Sequence, residues 1–349
     1  MIYLDYSATT KVDESVLNDF LMNIDNDYPI IKEQERLQKL LNTNLDVIFT
    51  SGSTESNNRI IKGIALKYFN KGYHIITTTL EHSSILEQMK YLEKNGFIID
   101  YVKLNDGVVD LEDLERLITV KTILVSITAV NSEVGIREPI NEIGKLLRKY
   151  NILFHSDMTQ LIGKDKVNLD YVDLVSFTAH KFYGLKGIGV LLKRRDIELE
   201  SLIYGDITYN TALIKSLNDA LELSLKDIDE KYNYVLKLNN KLKEELLKIP
   251  NISINSNKYS IPHILNISVR GYKPETFLHT LENYNIFIST KSACSISNDY
   301  SKAVYSVTQN MENAKTSVRI SLSYKTSISE VEELIKVLKE IFNGDIYDR

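Results

Sequence analysis

Along the first two thirds of the chain, apolar runs of strand length alternate with stretches whose apolar residues recur at helical spacing. The run "DVIFT" (46–50) is followed by Ile60, Ile61, Ile64, Ala65 and Tyr68 at helix period, and then by "HIITTT" (74–79). The rhythm continues through Ile85, Leu86, Met89 and Leu92 to "FIIDYV" (97–102) and "TILVSITAV" (122–130). A helix opening near Pro139 comes next, and then "ILFHS" (152–156), "DLVSF" (173–177) and "GIGVLL" (187–192). This order predicts an α/β fold, a mostly parallel sheet with helices on both faces. Past about residue 225 the texture changes to a Lys/Glu/Leu/Asn helical pattern that runs through Leu247 and is stopped by Pro250. Strands follow at "ILNISV" (264–269) and "SVRISL" (317–322), so a smaller α+β domain is expected there. No internal repeat or low-complexity linker interrupts the chain, and the boundary is expected inside or just before the long helix.

Composition narrows the class. With 349 residues, 43% of them apolar, the chain can bury a large core and a second smaller one. A net charge of -5 leaves no basic surplus for a phosphate backbone, and the cluster Lys193-Arg194-Arg195 is followed at once by acids. No nucleic-acid partner is expected. The first ten residues include Asp5, and no uninterrupted apolar stretch is long enough to span a bilayer, so a cytoplasmic protein without membrane contact is expected. The single cysteine, Cys294, has no intrachain disulfide partner. Its surroundings, "TKSACSISND", are small and polar, which suits an accessible loop thiol better than a core position.

Three stretches carry candidate chemistry, each just past a predicted strand. In "SFTAHKFYG" (176–184), Lys181 follows an apolar run, where a charged amine is costly to bury. It is either a surface lysine beside a packed histidine or an amine whose lowered basicity lets it attack an aldehyde. In "FHSDMTQ" (154–160), Asp157 falls at the carboxyl end of a strand, where open α/β sheets bind ligands. It is either a helix cap or a carboxylate for a protonated ring nitrogen. In "TSGSTESNN" (50–58), Ser53 and Thr54 open a helical run, which is either an ordinary capped start or a phosphate cradle. It lacks the Gly-Lys-Ser/Thr of an ATP-binding loop. Together the three supply an amine for an aldehyde, a carboxylate for a ring nitrogen and a cradle for a phosphate.

With "YLDYSATT" (3–10), "EHSSIL" (81–86), "VNSEVG" (130–135), "SACS" (292–295) and "SVRISLS" (317–323), these stretches run collinearly over nearly the whole chain. The set resembles the cysteine desulfurases of the class V aminotransferase group, pyridoxal phosphate enzymes of fold type I. The resemblance implies that pyridoxal 5'-phosphate is bound covalently by Lys181, with Asp157 on its pyridine nitrogen, His82 stacked on the ring and Gln160 on its phenolic oxygen. It places Ser53, Thr54, Thr178 and His180 at the phosphate, and Asn131 and Arg319 at the substrate carboxylate. Cys294 falls on the loop cysteine that takes sulfur from L-cysteine, releasing L-alanine. A homodimer, a sulfur-acceptor protein and no metal are implied as well. The expected division is a large domain over 13–230 and a small one made of 1–12 and 231–349, the latter carrying the Cys294 loop.

Departures from the family's pattern are local. A segment usual between Tyr28 and the helix around Leu37 is missing, and a glycine-rich run is cut to "YGDITYN" (204–210), where Thr208 matches the threonine that reaches a partner subunit's phosphate. Thr178 and Ala179 stand where Ser and Gly are usual, and Lys291 replaces a Gly three residues before the thiol, where its charge would favour the thiolate. Loss of both segments at the mouth predicts altered access or subunit contact, and an acceptor dedicated to this enzyme. The competing readings are a related lyase acting on selenocysteine or cysteine sulfinate, and a non-catalytic scaffold that binds no cofactor.

Overall fold

A computed structural model describes residues 1–290 and 300–343. Its strands, in chain order, are β1 (Ile2–Tyr3), β2 (Asp46–Thr50), β3 (His74–Thr77), β4 (Ile98–Tyr101), β5 (Leu104–Asn105), β6 (Val108–Val109) and β7 (Thr122–Ser126). They continue with β8 (Leu153–Asp157), β9 (Leu174–Thr178), β10 (Gly189–Lys193), β11 (Ile252–Ile254), β12 (Ile264–Val269), β13 (Ile286–Phe287) and β14 (Ser317–Ser321). Seven of them form the main sheet in the order β2-β10-β9-β8-β7-β3-β4.

Four neighbouring pairs, from β9 across to β4, are parallel, and β10 runs antiparallel to both β9 and β2. Chain length explains the reversal. Only residues 179–188 separate β9 from β10, too few for the crossover that a parallel pairing needs. Side chains of the central strands alternate between two cores. Ile75, Leu124, Leu174 and Leu191 meet Ile60, Ile64, Met89 and Leu92 on one face. Ile76, Val125, Val175 and Val190 meet Ile143, Leu147, Leu217 and Leu221 on the other. A sheet sandwiched this way reads as continuous apolar runs, which is what β7 and β9 show.

A second core lies around the antiparallel sheet β11-β12-β14, where Leu265, Ile267 and Ile320 pack against Leu238, Leu242, Leu246, Phe277, Leu334 and Leu338. Leu4 is buried in it, and β1 pairs in parallel with β13, so the amino terminus is folded into this unit. The helices Thr211–Leu225 and Ile228–Leu246 are separated by a left-handed residue, Asp227 at φ 52°. The strand expected over 122–130 ends at Ser126, although Ile127 and Ala129 still donate to the His155 and Asp157 carbonyls of β8. No helix of the described residues is long and apolar enough to cross a membrane.

Candidate active site

A cavity of about 290 Å³ opens at the carboxyl edge of the main sheet. Ser53, Thr54, His82, Asp157, Gln160, His180, Lys181 and Arg319 all line it, bringing together residues from both units. Its first wall is the turn from β2 into the helix Ser53–Lys67. Gly52 sits there at φ 156° and ψ 175°, a backbone state reserved for glycine, and a Cβ on Gly189 of β10 would lie 2.5 Å from the Gly52 Cα. Two glycines thus let β10 close on the turn, leaving Ser53 and Thr54 at the positive end of a fifteen-residue helix facing the cavity.

The floor is built on Asp157, the last residue of β8, which is 5% exposed. Thr159 N donates to its Oδ1 at 2.9 Å and Asn57 Nδ2 to its Oδ2 at 2.8 Å. Asn57 is itself fixed, since Ser176 Oγ donates to its Oδ1 at 2.5 Å. Beneath that, His155 spans Ser176 Oγ at 3.2 Å and Ser126 Oγ at 2.9 Å. Burial pushes the His155 pKa down to about 4, so its ring is neutral at pH 7 and adds no charge to this chain of polar groups. Asn57 escaped the sequence reading. Its only signal there was its place on the helix face four residues after Ser53.

Lys181 ends a single 3₁₀ turn, Ala179–Lys181, that follows β9 directly. Its Nζ donates to the carbonyl oxygens of Ser7 at 2.7 Å and Ala8 at 2.6 Å, so the "YSATT" stretch aims the amine. Thr10 clamps that stretch in return by donating from N and Oγ1 to the His180 carbonyl, both at 2.9 Å. Gln160 Nε2 shares the Ser7 carbonyl at 2.9 Å. Burial lowers the His180 pKa to about 4, with the charges of Lys181, Lys186 and Lys164 adding to it.

His82 is both cap and cavity wall. Its Nδ1 accepts from Ser84 N at 3.1 Å at the start of the helix Ser83–Lys94. Burial lowers its pKa, and the attraction of Asp157 is opposed by Lys181. A neutral ring accepting at Nδ1 carries its proton on Nε2. From β14, Arg319 sends Nη1 to Ser132 O and Nη2 to Asp5 Oδ1, both at 2.9 Å. Among the described residues its buried Nε has no partner, nor has the buried Oγ1 of Thr159, another residue that lines the cavity. Buried donors left open in this way point to a polar occupant.

Three expected residues stand apart from this cluster. Asn131 is spent on its own turn, donating to Leu80 O at 2.7 Å and accepting from Glu133 N and Val134 N at 2.9 Å each. Thr178 donates to Ile188 O at 2.9 Å and does not line the cavity. Thr208 is exposed on the 204–210 stretch, outside the cavity. Cys294, like Lys291, lies outside the described residues. What remains still fits pyridoxal 5'-phosphate, offering an amine for the aldehyde, a buried carboxylate for the ring nitrogen and a helix amino terminus with two hydroxyls for the phosphate.

The aminotransferase class-V family model matches residues 30–205 and 204–334, and the chain belongs to that family. Within it, the chain is a member of the cysteine desulfurase group. It is 37% identical over 372 residues to the cysteine desulfurase IscS of Clostridium botulinum (strain Hall), covering 97% of this chain and 94% of that one. The match is longer than the chain's own 349 residues, so segments of the relative have no counterpart here. A solved NifS-like protein superposes with a TM-score of 0.91 at 31% identity, over 98% of this chain and 99% of the other. The structure titled "SspA in complex with cysteine" gives 0.79 at 26% identity, over 94% and 100%.

Proposed function

We propose that the chain is a pyridoxal phosphate-dependent cysteine desulfurase that converts L-cysteine to L-alanine and passes the sulfur through Cys294 to an acceptor protein. The observation that carries this reading is the meeting of Lys181, Asp157 and the Ser53 helix terminus in one cavity. A non-catalytic scaffold has no use for a lysine aimed by two carbonyls beside a carboxylate held by two donors.

The residues divide the work. Lys181 supplies the amine that holds the cofactor aldehyde, Asp157 the charge for its ring nitrogen, and Ser53, Thr54 and the helix terminus the phosphate site. When bound, pyridoxal phosphate supplies an electrophilic carbon and a ring that accepts the electron pair left as a substrate proton departs. Lys181 Nζ takes the proton from the substrate Cα and returns one later. His82, neutral with its proton on Nε2, would supply a flat face against the ring. Arg319, with one N–H already open, receives the substrate carboxylate, and Asn131 buttresses that subsite through its turn. The Cys294 thiolate attacks the substrate sulfur; the new S–S bond forms as the bond from that sulfur to the substrate Cβ breaks, and the remainder leaves as alanine after protonation.

The division into 13–230 and 1–12 with 231–349 agrees with the burial of Leu4 in the second core. A homodimer is supported by the apolar stretch beside Thr208, where Tyr204 is 82% exposed and Ile203 and Ile207 also face solvent. A second copy seated there brings Thr208 to its neighbour's phosphate site, and the trimmed mouth suits a dedicated acceptor. Purified protein with pyridoxal phosphate and L-cysteine is expected to release alanine and sulfide in equal amounts under a thiol reductant. Cys294→Ala is expected to abolish this. Alanine production that survives Cys294→Ala would favour a lyase acting without the thiol.

A further inference from the structure

Lys164 is a buried lysine that the proposed chemistry does not use. It is 7% exposed, and among the described residues no carboxylate pairs with it. The charged groups that face it are Lys181 from the 3₁₀ turn and Arg319 from β14, with His180 and His263 close enough to feel its charge. Burial and these like charges hold its pKa well below that of a free lysine. Burying an amine without an acid costs stability, so its hydrogen bond marks what it is for.

That bond runs from Lys164 Nζ to Gln160 Oε1 at 2.5 Å. The other end of the same amide donates from Nε2 to the Ser7 carbonyl at 2.9 Å, and Lys181 Nζ donates to that carbonyl at 2.7 Å. A backbone carbonyl only accepts, so it selects the NH₂ end of the amide; an amine donor selects the oxygen end. Both partners therefore impose one orientation out of two that are sterically alike.

We propose that Lys164 is a positioning residue for the desulfurase reaction, holding the Gln160 amide with its NH₂ toward Ser7 and Lys181 so that a donor faces the cofactor site. The inference rests on the pyridoxal phosphate reading. An N–H directed into the cavity stabilises an anionic oxygen there and lowers the pH at which the bound chromophore titrates. Without Lys164 only the Ser7 carbonyl still selects the NH₂ end, so the reversed orientation, which presents an acceptor, becomes more populated.

The test is a pH titration of the visible absorbance of holoenzyme, wild type against Lys164→Met. The midpoint is expected to rise by about one pH unit. Gln160→Met is expected to raise it as well, and the double variant to match Gln160→Met, because Lys164 acts through the amide. Urea unfolding of the apoproteins serves as control, with Lys164→Met expected to be at least as stable as wild type. An unshifted midpoint in folded Lys164→Met, or shifts that add in the double variant, overturns the proposal. If Lys164→Met does not fold, Lys164→Leu replaces it; failure of both makes the lysine structural and also overturns it. A wild-type protein with no visible band refutes the pyridoxal phosphate reading itself, a result distinct from a band whose midpoint does not move.

Discussion

The floor of the cavity and the solvent-facing 204–210 stretch are built on opposite terms. Below Asp157, every polar group from Asn57 through Ser176 to His155 is buried and bonded, so the carboxylate is held in one position. The 204–210 stretch, an outer rim that lines no part of the cavity, presents Tyr204, Ile207 and Thr208 to solvent. The floor's polar network closes within one chain, while the outer rim leaves large apolar side chains in solvent. Precision is needed where charge develops, and a rigid polar network supplies it without reorganisation.

The comparison breaks first at the amine. Lys181→Ala is expected to cut alanine formation by about a thousandfold, with the rim untouched and the apoprotein folded. A steady-state assay with circular dichroism as fold control measures both. Next comes the floor's hidden member. Asn57→Leu leaves Ser176 and Asp157 each short of a partner inside the protein, at a cost of about 1–3 kcal/mol in stability and a loss of turnover of roughly tenfold or more. Urea unfolding and turnover, measured side by side, check it; an unchanged enzyme would mean that the network does not matter.

Acid is a gentler probe of the same network. His155 and His263 are buried, with folded pKa values near 4 and 3 against an ordinary 6.5. Between those values the unfolded chain binds protons that the folded one refuses, so stability rises with pH. The contribution is complete above about pH 6.5 and is lost as pH falls toward 4. Urea midpoints at pH 7.5 and pH 5 are expected to differ, and His155→Asn to flatten the slope by up to about 1.4 kcal/mol per pH unit. The smallest effect belongs to the rim. Tyr204→Ser is expected to change monomer stability by no more than about 0.5 kcal/mol, while weakening self-association in analytical ultracentrifugation. A rim change that unfolds the chain would erase the contrast.

Much of this was legible before the fold was known, for a physical reason. Strands buried on both faces write themselves as apolar runs, and "DVIFT" and "ILNISV" match β2 and β12 residue for residue. Lys181, Asp157 and Ser53 were legible because each follows such a run. The reversed direction of β10 was not, since a strand's polarity is set by the length of its connection and leaves no mark in its own residues. Nor was the β5–β6 hairpin, although Asp106 and Gly107 carry the positive φ angles that an Asp-Gly turn demands. Asn57 and Lys164 stayed hidden because their roles lie in three-dimensional partners, Asp157 and Gln160, that no spacing reveals. Asn131, expected at the substrate carboxylate, bonds through its side chain to the turn it begins and to the Leu80 carbonyl, contacts that its spacing does not reveal.

The central claim is that one particular amine holds the cofactor. Apoprotein reconstituted with pyridoxal phosphate, reduced with borohydride and digested for mass spectrometry tests it most directly. A single phosphopyridoxyl adduct is expected, on the peptide containing Lys181. An adduct on Lys164 or on a surface lysine, or none at all, would contradict it.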